Sequence, residues 1–161
     1  MTLRIPSKLC LAVIVVLLAI LGAIAYKLIA GTSTTTAEDG RQAIVLAPQE
    51  RGLILTEMRA FLSGLQGMTD ALTREDMKTV AATARSLGRA ATHEVPPALM
   101  AKLPLGFKQF GLSVHNDFDQ IALDAESLGD PKHTLAQMGA VMQKCVACHA
   151  TFQLQSTPTA K

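Results

Sequence analysis

Two cysteines and a histidine close together on a C-terminal helix constrain this chain more than any other feature. Cys145 and His149 fall in a run whose key positions are Leu135, Met138, Met142, Cys145, His149 and Phe152, spaced 3, 4, 3, 4 and 3 apart. That spacing predicts a helix with one face turned to a core. Cys148 lies three residues after Cys145, and residues three apart are neighbours on a helix surface, so the two thiols meet on one side. Helix bundles build internal cofactor sites from side chains on such inward stripes. The chain is therefore expected to be a set of packed helices around a site. No strand pattern and no internal repeat stands out.

The full motif is Lys144-Cys145-Val146-Ala147-Cys148-His149, the attachment sequence for c-type haem. Each sulfur can add to one of the two vinyl groups. The imidazole that follows can bind the iron beneath the ring, as is usual for a proximal ligand. Cys-x-x-Cys alone would also suit a disulfide, half a zinc site or a thioredoxin-like dithiol. Zinc needs four ligands, and the only other cysteine is Cys10, inside an apolar segment. A redox dithiol normally opens a helix after a strand, and no βαβ pattern surrounds this one. The histidine fits haem attachment alone. One covalently attached haem c is the expected cofactor, linked through Cys145 and Cys148, with His149 on the iron.

Leu9 to Ala25 carries no charge over 17 residues, and Leu28 to Ala30 extends the run past Tyr26 and Lys27. A cleaved signal peptide has a charged start, about 7–15 apolar residues and a small-residue cut site, which Ala23 to Ala25 could supply. A retained anchor needs about 17–25 apolar residues. The run is long for the first and adequate for the second, and the anchor is favoured. Arg4 and Lys8 keep the N-terminus in the cytoplasm by the positive-inside rule. The remainder is expected at the bacterial inner membrane, with the haem domain in the periplasm, or soluble there after cleavage. Cys10 reads as a small apolar residue. Of the 15 basic residues, Arg4, Lys8 and Lys27 flank this run, and the other 12 face 13 acidic ones. No basic block suggests nucleic acid, and no acidic run suggests disorder.

Gly31 to Thr36 reads as a polar linker that would carry the domain away from the bilayer. Ile54, Met58, Phe61, Leu65, Met68 and Leu72, in steps of 4, 3, 4, 3 and 4, predict a first domain helix over 47–72. Thr73 is expected to cap a second helix, striped by Met77, Val80, Ala84, Leu87 and Ala91. The short joint makes the two antiparallel neighbours. Val95-Pro96-Pro97 ends the second. A third is expected over 105–127, with Phe107, Phe110, Val114, Ile121, Ala125 and Leu128 inward, Phe118 beside the stripe and Gly129 closing it. Asp130-Pro131 opens the fourth. The fold class is all-α: an up-down-up-down four-helix bundle behind an N-terminal transmembrane helix. The divisions are 1–30 anchor or signal, 31–46 linker, 47–155 cytochrome domain and 156–161 loose tail.

A second axial ligand must come from another helix. The first domain helix offers Met58, with Leu55 nearly one turn earlier, and the third offers His115. A seam methionine is more often packing. His115, His93 and His133 read as surface or cap residues. Arg51, Arg59 and Lys144 could meet haem propionates, although solvated faces suit each better.

From about Glu50 to Phe152 the chain resembles the cytochrome c′ superfamily, the four-helix-bundle cytochromes. The resemblance rests on Cys145-x-x-Cys148-His149 on the last helix, on Thr56-Glu57-Met58-Arg59, on Val95-Pro96-Pro97 and on the Phe107-to-Ile121 helix. It implies that Met58 is the distal iron ligand, as a first-helix methionine is in low-spin members. In members with an open sixth site an apolar side chain screens the iron, and Leu55 would take that role. The implied function is single-haem electron transfer without substrate chemistry, hence not an enzyme. Gas binding by an open iron, or service as a haem subunit of a larger respiratory complex, are the alternatives; a thiol oxidoreductase is a distant further one. The implied partners are redox proteins of the membrane or periplasm, the membrane itself and, since relatives often dimerise through their first two helices, a second copy of the chain. The anchor departs from the usual cleaved leader.

Overall fold

The computed structural model describes residues 7–157, apart from the side chains of Ser7, Leu28, His93 and Glu94. Arg4 and the last four residues of the tail fall outside that range. The chain is mostly helical, with helices α1 (Ser7–Ala30), α2 (Pro48–Leu72), α3 (Met77–Ser86), α4 (Pro97–Lys102), α5 (Leu105–Ser127) and α6 (Pro131–Thr151). A 3-10 turn over Arg89–Glu94 lies between α3 and α4.

Helix α1 is long and apolar enough to cross a membrane: Lys8–Lys27 has a mean hydropathy of 3.0 and none of it is buried. Its end is not followed by a free linker. Strands β1 (Thr34–Thr36) and β2 (Gln42–Leu46) form an antiparallel hairpin. A third strand, β3 (Phe152–Ser156), runs parallel to β2, pairing Phe152 with Gln42 and Ser156 with Leu46. These strands correct the expectation of an unstructured segment over 31–46. Thr34 to Thr36 and Ile44 to Leu46 are β-branched or apolar residues that suit a pleated surface, and Gly40 takes the turn at φ +84°. The tail is ordered further than expected, with the Thr157 amide donating to the Leu46 carbonyl.

Gly31 sits against the turn between α4 and α5. A Cβ there would lie 2.7 Å from the Lys102 carbonyl oxygen, and φ is +76°. The domain is thus seated directly on the end of α1 rather than held away from it.

Helix α2 packs on α3, α3 on α5 and α5 on α6, while α2 meets α6 only sparsely. Two apolar clusters result. One joins Phe61, Met68, Val80, Phe118, Ile121, Met138 and Val141. The other, at the α1 end, joins Ile44, Leu46, Ile54, Leu99, Leu103 and Phe152. Phe118, expected beside the stripe, is fully buried and stacks on Phe61 with ring centroids 5.4 Å apart. Burying such a ring stabilises the fold by about 1.5–3 kcal/mol.

Several predicted boundaries shift. Thr73 closes α2 and bonds back to the Asp70 carbonyl. Asp76 caps α3 instead, accepting from the Thr79 amide at 3.0 Å and the Thr79 hydroxyl at 2.6 Å. Helix α3 stops at Ser86, not near Ala91: Gly88 turns extended and lies so close to α5 that a Cβ there would come within 1.8 Å of an Asp119 carboxylate oxygen. Leu128, expected inward, lies past the end of α5 and is 61% exposed. Asp130 caps α6 through the Lys132 and His133 amides, and Gly129 at φ +60° closes the α5 side.

Candidate functional site

Helix α6 turns inward a stripe rotated from the one its spacing suggests: Met138, Cys145 and Phe152 face the core as expected, and Leu135, Met142 and His149 do not. Thr134, Met138 and Val141 are buried, whereas Leu135 and Met142 are 56% and 45% exposed. Cys145 and Cys148 continue the inner face and are half-buried, but His149 is exposed. The offset corrects the predicted seam. Each residue advances about 100° around a helix, so a position directly after Cys148 lands at the edge of the inner face.

Because α2 and α6 scarcely touch, a cleft of about 230 Å³ opens between them, near the β-sheet. Leu55 and Met58 line it from α2, Cys148 and His149 from α6, and Phe107 and Phe152 from the α1 end. Met58 packs against both apolar clusters, one of which also carries Cys145 and the other Cys148. The structure therefore brings three of the four predicted site residues to one cleft, and Met58 links it to Cys145. Phe107 and Phe152 meet edge to face at 5.6 Å and give the cleft an aromatic end.

Two guanidiniums also line this cleft, Arg41 and Arg51. Arg41 stands in β1–β2 hairpin territory and was invisible to helix-pattern reasoning. It donates to the His149 carbonyl at 3.1 Å and to Gln153 Oε1 at 3.1 Å. Asp39 holds its other side in a 2.6 Å ion pair. Arg51 reaches the Leu154 carbonyl at 3.4 Å. Lys144 is tied to Asp117 at 2.5 Å, and Arg59 lines a separate cavity on the far side of α2.

Both motif cysteines carry free thiols. Burial pushes the Cys145 thiol up. Burial, and then the neighbouring Cys145, push Cys148 up to about 11. They are poor nucleophiles as they stand, since reactive cysteines owe their activity to a lowered pKa.

His115 is not the surface residue its sequence position suggests. It is 3% exposed, with Nδ1 2.7 Å from the Leu87 carbonyl oxygen and Nε2 3.2 Å from Glu57 Oε1. Its ring lies edge-on to Phe61 at 5.0 Å. It meets Glu57 at the wall of the second cavity and does not line the cleft of Met58. His133 stays exposed against Asp124, and the side chain of His93 is outside the described residues.

The cleft's chemistry fits a haem. It offers a thiol beside an imidazole, a thioether on the facing helix, an apolar floor and two cations for carboxylates. Ligand sites usually enclose about 300–1000 Å³, so a porphyrin would need α2 and α6 to part or would leave an edge in solvent. Among the described residues no three His, Cys, Asp or Glu side chains cluster to hold a metal ion by themselves. Comparison with protein-family models, with characterised proteins and with solved structures finds no match.

Proposed function

We propose that this chain is a single-haem c-type cytochrome that transfers electrons at the periplasmic face of a bacterial inner membrane. Cys145 and Cys148 would hold haem c covalently, His149 would bind the iron from one side and Met58 from the other. Helices α2, α3, α5 and α6 would form the up-down-up-down bundle of the cytochrome c′ type, and α1 would anchor it. The observation that carries this reading is the convergence of Leu55, Met58, Cys148 and His149 on one cleft.

When bound, the haem supplies a one-electron ferric–ferrous couple. The protein's part is to tune it. A methionine opposite a histidine raises the reduction potential. The apolar wall of Ile54, Phe107 and Phe152 would exclude water from a bound haem and so disfavour its more charged ferric state. Arg51 would supply a charge-assisted hydrogen bond suited to a propionate carboxylate, and Arg41, already engaged with Asp39, Gln153 and the His149 carbonyl, would add positive charge beside it. Met58 packs against both apolar clusters and the turn bearing His149 is tied to Arg41 through its carbonyl, so little rearrangement would accompany the change of charge. The raised thiol pKa values argue against a thiol oxidoreductase, which works through a lowered one.

A second reading is favoured by Leu55, which lines the same cleft one turn before Met58. If Leu55 rather than Met58 faces the iron, the sixth position stays open to nitric oxide or carbon monoxide. The ferrous absorption spectrum of the purified protein separates the two: low-spin six-coordinate bands support Met58, and five-coordinate high-spin bands support gas binding.

A further inference from the structure

The larger of the cavities flanking α2, about 460 Å³, lies opposite the cleft, between α2 and the α3-to-3-10 segment. Its floor is apolar, made by Leu53, Ile54, Phe61 and Leu87, and its polar groups include Glu57 and the buried His115. Glu57 and Met58 are consecutive in sequence and line different openings.

The geometry of the pair defines what it offers a ligand. The Leu87 carbonyl can only accept, so Nδ1 of His115 carries a proton. Nε2 and Glu57 Oε1, 3.2 Å apart, are then both acceptors unless one proton lies between them. The contact holds the Glu57 carboxyl at the cavity wall. Glu57 keeps 30% of its side chain exposed, so the carboxylate is held at the cavity rather than sealed behind the imidazole. An apolar void left by imperfect packing would carry no such group. A volume in the range of small-molecule sites, an apolar floor and a fixed polar group are the usual make-up of a binding pocket.

We propose that this cavity binds a small phenol: an aromatic ring resting on Leu53, Ile54 and Phe61, with its hydroxyl donating to Glu57. The phenolic O–H is a strong donor to a carboxylate, and the Phe61 ring offers an aromatic wall. Such a ring could arrive from water or as the head of a lipid-soluble quinol-like molecule. Val95, which lines the cavity, packs on the cluster of Leu99 and Leu103, and Leu103 adjoins Gly31 at the end of α1. The cavity therefore lies toward the end of the domain that α1 enters.

Ligand-observed NMR on the full chain tests the proposal, with phenol as probe and anisole as the same ring lacking the donor. Anisole is expected to bind at least about tenfold more weakly, the loss of one charge-assisted hydrogen bond. Ala60→Trp, at an exposed cavity-lining position, should abolish binding without lowering the unfolding midpoint. Glu57→Gln should weaken phenol by a similar factor of roughly ten; if that variant fails to fold, Ala60→Trp and anisole still decide. Equal binding of phenol and anisole, absence of phenol binding, or phenol binding unchanged in Ala60→Trp would overturn the proposal. In phosphatidylcholine vesicles, displacement of phenol by 4-decylphenol supports a membrane-borne ligand, and displacement only by water-soluble phenols supports an aqueous one. Binding is read with or without pigment, so this site and the haem reading can fail separately.

Discussion

Arg41 Nη1 donates a 3.1 Å hydrogen bond to the main-chain oxygen of His149, joining residues 108 positions apart. The contact ties the hairpin after α1 to the last turn of α6. It fixes the helix end that carries the imidazole, and β3 continues that attachment from Phe152 onward.

Arg41→Ala should therefore lower stability by about 1 kcal/mol, the usual worth of such a bond at a partly exposed site. Urea unfolding measures it. An unchanged midpoint would mean that β2–β3 pairing alone holds the helix end.

Met58→Ala in the pigmented protein should convert the ferrous spectrum to high spin and make carbon monoxide binding fast. Met58→Leu separates ligation from packing, because it keeps the volume and loses the sulfur. Both variants should change the spectrum alike, whereas only the alanine should cost about 1–2 kcal/mol through lost packing. Unchanged spectra in both would remove Met58 from the iron.

In unpigmented protein, Cys148 should be alkylated slowly. With its thiol at about 11, against roughly 8.5 for a free cysteine, thiolate at about pH 8 falls on the order of 100-fold. Higher intrinsic nucleophilicity recovers part of this. The net expectation is alkylation about tenfold slower in the native state than in urea. Faster alkylation when folded would revive the thiol-redox reading.

Stability should also fall as pH rises past neutrality. Burial alone would lower the pKa of His115, but its bonds to Glu57 and to the Leu87 carbonyl outweigh burial and hold it above the ordinary 6.5. Between the unfolded and folded values the native state binds more protons, so the slope of stability against pH is negative there. The contribution is complete below the unfolded value and is lost as pH climbs through the folded one. Urea midpoints at about pH 6 and about pH 9 should differ more in the wild type than in His115→Gln. Equal differences would contradict this.

The helix-forming segments were the legible part of the sequence. Repeating 3- and 4-residue steps and the Asp130-Pro131 start are local signals, and α5 and α6 begin where those signals lie. What escaped depended on distant partners. The residues from Gln42 to Leu46 pair with β1 across the Gly40 turn, a local signal in the threonines and apolar residues on either side, but their second partner, β3, lies more than 100 positions away and no local pattern announces it. The inner face of α6 is set by how α5 meets Met138 and Val141, so a stripe counted from Leu135 is rotated. His115 read as a surface residue because its two partners, Leu87 and Glu57, lie on other elements. The Cys-x-x-Cys-His motif and Met58 were named without a fold, but Arg41, which reaches the same cleft from the hairpin, was not.

Covalent pigment retention is the most direct test of the central claim. The full chain, expressed in a host able to mature c-type cytochromes, should be coloured and keep its colour through acid–acetone extraction. A Cys145→Ser, Cys148→Ser double variant should release it. A colourless wild-type protein, or pigment stripped completely by the solvent, would contradict the account.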